Sequence, residues 1–194
     1  YPYVAGSTMM GAILPPWVHD GGTDKAVARL ADHELRKKMV GDMENGIPGW
    51  DNFVSFAGFE NIYVTSVKTE KNADAVGLSI VELAEKRGVD PYTAAFDLLM
   101  EEENAVGMVD FYGTEEHVQL FMKRPEMNAC TDGLLGGKPH PRVYGAFPRI
   151  LGKYVREDKA LTLEEAVYKM TRKPATTFNM EGRGEIKVGN YADI

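Results

Sequence analysis

The chain is poor in the residues that cross-link, insert into membranes or attract nucleic acid. It has one cysteine, Cys130, so an internal disulfide is excluded and a reducing, cytoplasmic setting is expected. No apolar run approaches the roughly 20 residues that span a bilayer, so no membrane partner is expected. Lys and Arg number 22 against 29 Asp and Glu, a net charge of -7. That balance draws no phosphate backbone, and nucleic acid is not an expected partner. Repeats, low-complexity stretches and long linkers are absent. The opening YPYVAGSTMM lacks a basic n-region and an initiator Met, which argues against a signal peptide. Both ends read as cut, and the chain is expected to be part of a longer polypeptide.

What is present is ordinary for a globular protein: 44% hydrophobic and 26% charged residues over 194 positions. This suffices for one good core, or a domain plus part of another. Thr23 is positioned to cap a short helix, and Asp32 a second one carrying Leu35, Met39 and Met43 up to Gly46. Residues 47–58 read as a loop, and 61–67, NIYVTSV, as a strand. The polar KTEKN at 68–72 reads as exposed. Ser79 and Glu82 make a capping box for a helix that stops at Gly88, and Asp90-Pro91 starts another. That helix ends in Glu101-Glu102-Glu103, expected to be a solvated acidic turn. Residues 105–112 read as a strand, Thr114 as a helix cap, and 127–131 as a second strand, one βαβ step of a parallel sheet. Helices are predicted over about 148–156, from the capping box Thr162–Glu165 to about 171, and over 173–179. Residues 184–194 are expected to be extended.

The chemistry concentrates in residues 128–145, NACTDGLLGGKPHPRVYG. Asp132 ends a short apolar segment and enters a permissive Gly- and Pro-rich loop. His140 and Arg142 follow between prolines that restrict the loop. A carboxylate so placed suits a base, and a guanidinium suits a carboxylate anchor because its planar fork makes two parallel hydrogen bonds. Taken alone, Asp-Gly is a turn and Arg142 a salt-bridge partner. Nothing near His140 has metal-ligand spacing, so orienting the loop or lining a pocket is its expected part. His19, His33 and His117 read as surface residues. An exposed position is expected for Lys68, and a small buried strand position for Cys130, which has no visible paired base.

Five stretches carry a family likeness: YPYVAGST at 1–8, PPWVHDGG at 15–22, TDGLLGGKPHPRVYGAFPRILGKYVRE at 131–157, LTLEEAVYKMTRKPA at 161–175 and GEIKVGNYADI at 184–194. With them the chain resembles the C-terminal portion of the N-acyl-D-amino-acid deacylases (D-aminoacylases) of the amidohydrolase superfamily. The resemblance implies an α/β fold, the C-terminal part of a (β/α)8 barrel, over residues 1–180. An insertion near 47–72 would cover the site, and 181–194 would begin the return into a small β-sandwich domain. It implies hydrolysis of the linear amide of an N-acyl-D-amino acid by metal-activated water, with zinc as the expected metal.

Asp132 matches the family's catalytic carboxylate, the proton carrier and a candidate metal ligand. Arg142 matches the arginine that holds the substrate carboxylate. Tyr3, His140 and Ser7 are further candidate substrate contacts, with Thr8 weaker. The family's HxH pair and its other metal-binding residues lie N-terminal to the YPY motif, and this chain does not contain them. Two rivals stand beside this reading: a cyclic-amide hydrolase of the hydantoinase or dihydroorotase kind, and a catalytically silent fragment that binds at most a carboxylate. The sequence leaves an oligomer open.

Overall fold

Three short stretches, GSTM, IYVTS and GMVD, collect into one sheet in the computed structural model, which describes residues 1–193. The described chain divides into two units. The larger contains Ala5–Tyr112 and Gly136–His140; the smaller contains Tyr1–Val4, Gly113–Leu135 and the chain from Pro141 onward.

The larger unit opens with β1 (Gly6–Met9), in a stretch whose sequence announced no strand. Helices α1 (Thr23–Leu30) and α2 (His33–Asn45) follow. Asp32 caps α2 by accepting from the amides of Glu34 and Leu35 at 2.9 and 3.0 Å. Asn52 caps α3 (Phe53–Ala57) inside the expected loop, so its local hydrogen bonds turn loop into helix. Strand β2 (Ile62–Ser66) forms where the β-branched run predicts it. Helix α4 (Ile80–Arg87) opens on the Ser79–Glu82 capping box, and α5 (Pro91–Glu101) on Asp90. Strand β3 (Gly107–Asp110) completes the sheet in the order β1-β3-β2, both pairings antiparallel. Alternation along the strands turns Ile62, Val64, Met108 and Asp110 inward. Ser7, Val109 and Tyr63 lie in register on the other, partly exposed face. Leu30, Met39, Ile80, Leu83, Leu98 and Leu99 close the core against the inner face.

The acidic turn after α5 departs from expectation. Glu102 is fully buried. Its carboxylate accepts from the amides of Lys68 and Thr69 at 2.6 and 2.7 Å, from Thr69 Oγ1 at 2.5 Å and from Asn72 Nδ2 at 2.6 Å. The segment read as exposed is therefore wrapped around a buried anion. Arg87 and Lys71 pair with Glu101, and Lys68 with Glu103. Three cations thus offset the acids at the negative end of α5.

The smaller unit contains α6 (Glu115–Lys123), capped by Thr114, and α7 (Arg142–Arg149), which continues as a π-helical segment over Ile150–Glu157. Next come α8 (Leu163–Met170), with its Thr162–Glu165 capping box, and α9 (Arg172–Thr177). Val118, Met122, Ile150, Tyr154, Leu161 and Ala166 form a separate core. The helix predicted from about 148 starts at Arg142 and carries Pro148 inside it. Pro148 offers no N–H to the carbonyl four residues back, and the wider π turn follows at once.

The predicted strand at 127–131 does not form, nor does the parallel step. Strand β3 is antiparallel to both neighbours, and the Ala129 amide donates to the Lys169 carbonyl at 2.9 Å instead. A strand exists only with a hydrogen-bonded neighbour, and 127–131 has none among the described residues. No strand forms over residues 184–193 either, and Ile194 lies outside the described residues.

Burial works to raise the pKa of Glu102, but the hydrogen bonds from Thr69, Asn72 and the Lys68 and Thr69 amides outweigh it and hold the group below its ordinary 4.5. A depressed carboxylate stabilises the fold above its unfolded pKa, and that stability is lost as pH falls through the folded value. Glu102→Gln should lower stability in neutral denaturant titrations by about 1–3 kcal/mol. The gap between wild type and variant should narrow as the medium becomes more acidic than the ordinary glutamate pKa. An equal midpoint at neutral pH, or a gap constant in acid, would show that this carboxylate does not hold the 68–72 segment.

Candidate active site

Asp132 stands at φ +49°, a left-handed conformation uncommon for a side-chain-bearing residue and tolerated better by Asp than by most. The turn aims its carboxylate back at Arg142, and Asp132 Oδ2 lies 3.1 Å from Arg142 Nη1. The two ends of this pair differ sharply: the Arg142 side chain is 2% exposed and that of Asp132 59%. Arg142 is the first residue of α7, where the helix dipole opposes a cation, so the nearby carboxylate offsets the dipole as well as the charge. The Tyr1 ring stacks on the guanidinium, centroid to Cζ 4.6 Å. Base and anchor, proposed separately from sequence, are thus partners in the structure. Much of the Asp132 side chain remains open to solvent.

Tyr3 lies in the same unit. Its hydroxyl donates to the Pro141 carbonyl over a long 3.5 Å. Sequence reasoning missed what holds the YPY segment. Arg149 donates Nε to the Pro2 carbonyl at 2.7 Å and stacks on the Tyr3 ring at 5.0 Å. Its Nη2 binds Glu115 Oε1 at 2.6 Å, and Tyr154 donates to the other Glu115 oxygen at 2.5 Å. Burial, then the Glu115 carboxylate, push the Tyr154 phenol up. Arg149 lies inside the 131–157 block, but nothing local distinguished it from a surface arginine.

His140 and Ser7 belong to the larger unit. Buried His140 has Nε2 3.1 Å from the Ala5 carbonyl, an oxygen that can only accept a hydrogen bond. Ser7 sits mid-strand in β1, opposite Val109. Cys130 is exposed rather than buried, because the strand expected to bury it does not form. His19, His33 and His117 are exposed, as is Lys68. Among the described residues no three His, Cys, Asp or Glu side chains come together as metal donors. Asp132, the candidate ligand named from the sequence, has no two further such donors beside it among the described residues.

This geometry can be set beside known proteins. Residues 129–194, which include Asp132, His140 and Arg142, match the model of the Amidohydrolase family. The chain is 40% identical over 119 residues to the N-acyl-D-glutamate deacylase of Alcaligenes xylosoxydans xylosoxydans, covering 61% of this chain and 23% of that protein. It is 37% identical to the D-aminoacylase of the same organism, covering 61% and 24%. The N-acyl-D-glutamate deacylase of Bordetella bronchiseptica, solved with zinc and a phosphonate mimic of the tetrahedral intermediate, superposes with a TM-score of 0.70 at 27% identity. That superposition covers 100% of this chain and 31% of the other. The chain thus spans about a quarter of the curated relatives and about a third of the solved structure.

Arg142→Leu removes the cation from both Asp132 and Tyr1 and leaves an apolar side chain of smaller volume. Denaturant titration should show a loss of about 2–4 kcal/mol, with Arg142→Lys falling between variant and wild type. A wild-type midpoint for Arg142→Leu would mean that this contact does not hold the loop.

Proposed function

We propose that this chain is part of a metal-dependent amide hydrolase that deacylates N-acyl-D-amino acids. The observation that carries the reading is the Asp132–Arg142 pair within the segment that matches the amidohydrolase family. Identity to deacylases and aminoacylases supports the substrate class. Asp132 takes the proton of the attacking water and returns it to the leaving nitrogen. Arg142 binds the substrate carboxylate; on that reading an incoming carboxylate replaces Asp132 on the guanidinium and leaves Asp132 free to act as base. Tyr3, His140 and Ser7 contribute contacts or hold the loop. Zinc would supply an activated water at neutral pH, with donors beyond those described here completing its site.

The cyclic-amide alternative draws on a more limited likeness, 31% identity over 90 residues to the dihydroorotase of Lactobacillus johnsonii, 20% of that protein. The silent-fragment alternative draws on the incomplete set of metal donors.

The test is hydrolysis of N-acetyl-D-methionine with added zinc, by the 194-residue chain and by a polypeptide that joins it to the preceding part of a D-aminoacylase. The extended polypeptide should turn over and the chain alone should not. Robust zinc-dependent turnover by the chain alone would overturn the partial-site reading; turnover of dihydroorotate but not of the acyl amino acid would overturn the substrate. In the active form, Asp132→Asn should reduce kcat by about 100- to 10,000-fold with the fold intact. Arg142→Lys should raise KM for carboxylate substrates, because an ammonium lacks the fork. A near-normal kcat removes Asp132 from proton transfer, and an unchanged KM removes Arg142 from recognition.

A further inference from the structure

A cleft of about 450 Å3 lies wholly within the larger unit, lined by Tyr63, Thr65, Gly77, Val109, Phe111 and Lys138 among others. Strands β2 and β3 supply its floor. Tyr63 and Val109 are partners in register, and the Tyr63 and Phe111 rings meet edge to face at 5.8 Å. Lys138 arrives from the loop that separates Asp132 from Arg142 in the chain. Its amide donates to the Thr65 carbonyl at 2.9 Å. Gly137, at φ +53°, permits this approach, since a Cβ there would lie 2.3 Å from the Thr65 carbonyl oxygen. The lysine then crosses Gly77, where a Cβ would lie 2.5 Å from Nζ. Two glycines, one on each segment, thus bring a single ammonium to an aromatic floor. Neither that ammonium nor the Tyr63 hydroxyl has a hydrogen-bond or ion-pair partner among the described residues.

We infer that this cleft binds a small carboxylate with an aryl or alkyl body. The acid meets the Lys138 ammonium, with the Tyr63 hydroxyl as a second donor, and the body covers Val109 and the Tyr63–Phe111 pair. One cation over an apolar floor suits a monoanion with an apolar body. A phosphate would call for several cations, a guanidinium fork or a helix N-terminus. The inference does not depend on the amide-hydrolase reading. If that reading holds, the acid released from an N-acyl group is of the same chemical class.

The test is titration of the 194-residue chain with hydrocinnamate, followed by amide NMR shifts, with hydrocinnamamide as the neutral isostere. Hydrocinnamate should saturate with a Kd on the order of millimolar, as befits so small a ligand. The shifts should centre on Tyr63, Thr65, Gly77 and Lys138. The neutral amide should bind about fivefold more weakly, as one partly solvated charge contact allows. Lys138→Met should weaken the acid by a similar factor and leave the amide unchanged, and its spectrum reports whether the fold is retained. Tyr63→Phe should keep the floor and show a smaller loss for the acid. Equal affinity for acid and amide, wild-type affinity in a folded Lys138→Met, or no saturable shift in the cleft would each overturn the inference. These outcomes are independent of whether N-acetyl-D-methionine is hydrolysed.

Discussion

The Asp132–Arg142 ion pair is the constraint on which the candidate site depends. A buried guanidinium without a carboxylate would carry a desolvation cost of several kcal/mol, so Arg142 in its observed place requires a partner. Asp132 supplies it from ten residues away, at the cost of a left-handed backbone. The pair closes the ends of the Gly- and Pro-rich loop, and closing a short loop by a charged contact stabilises one loop geometry over many. Tyr1 on the guanidinium and Arg149 on Pro2 and Tyr3 extend the same ordering to the start of the chain. The smaller unit is thus held by cations on carboxylates, carbonyls and rings as well as by its apolar core.

The larger unit solves a related problem in another way. Among the described residues no cation touches buried Glu102, and its charge is carried by amides, a hydroxyl and a carboxamide of one short segment. Charged groups gather around it on Glu101 and Glu103, nearer solvent, where pairing is less demanding. This anion centre orders the residues that follow β2, and so the edge of the sheet whose outer face carries Ser7, Tyr63 and Val109. In both units, loops are shaped by buried charge and regular elements by apolar faces.

These features bear on function through the loop between Asp132 and Arg142. Its ends hold the residues proposed for proton transfer and carboxylate recognition, and its middle holds Lys138 and His140, each fixed to backbone of the larger unit. Short spacing in sequence therefore concentrates acid, base and cation chemistry in one segment. The match to the amidohydrolase family covers this segment whole, whereas the candidate contacts Tyr3 and Ser7 lie outside the matched residues.

Most helices were legible in the sequence because their causes are local. Asp32, Ser79–Glu82, Asp90 and Thr162–Glu165 satisfy the first amides of their own helices, and a capping hydrogen bond needs no distant partner. Strand β2 was legible through its β-branched run. Spacing and the family likeness marked Asp132, His140 and Arg142 as candidates, and their roles stand as proposals. What the sequence could not decide depended on partners far along the chain. Residues 127–131 have a strand's composition but no strand partner among the described residues, β3 pairs antiparallel where a parallel step was expected, and Glu102 is buried because residues 68–72 fold over it. At the loop of residues 128–145, the sequence by itself determined which chemical groups stand near one another. Only the tertiary structure decided that Asp132 and Arg142 face each other, because a charge contact depends on where the backbone turns and not on spacing alone.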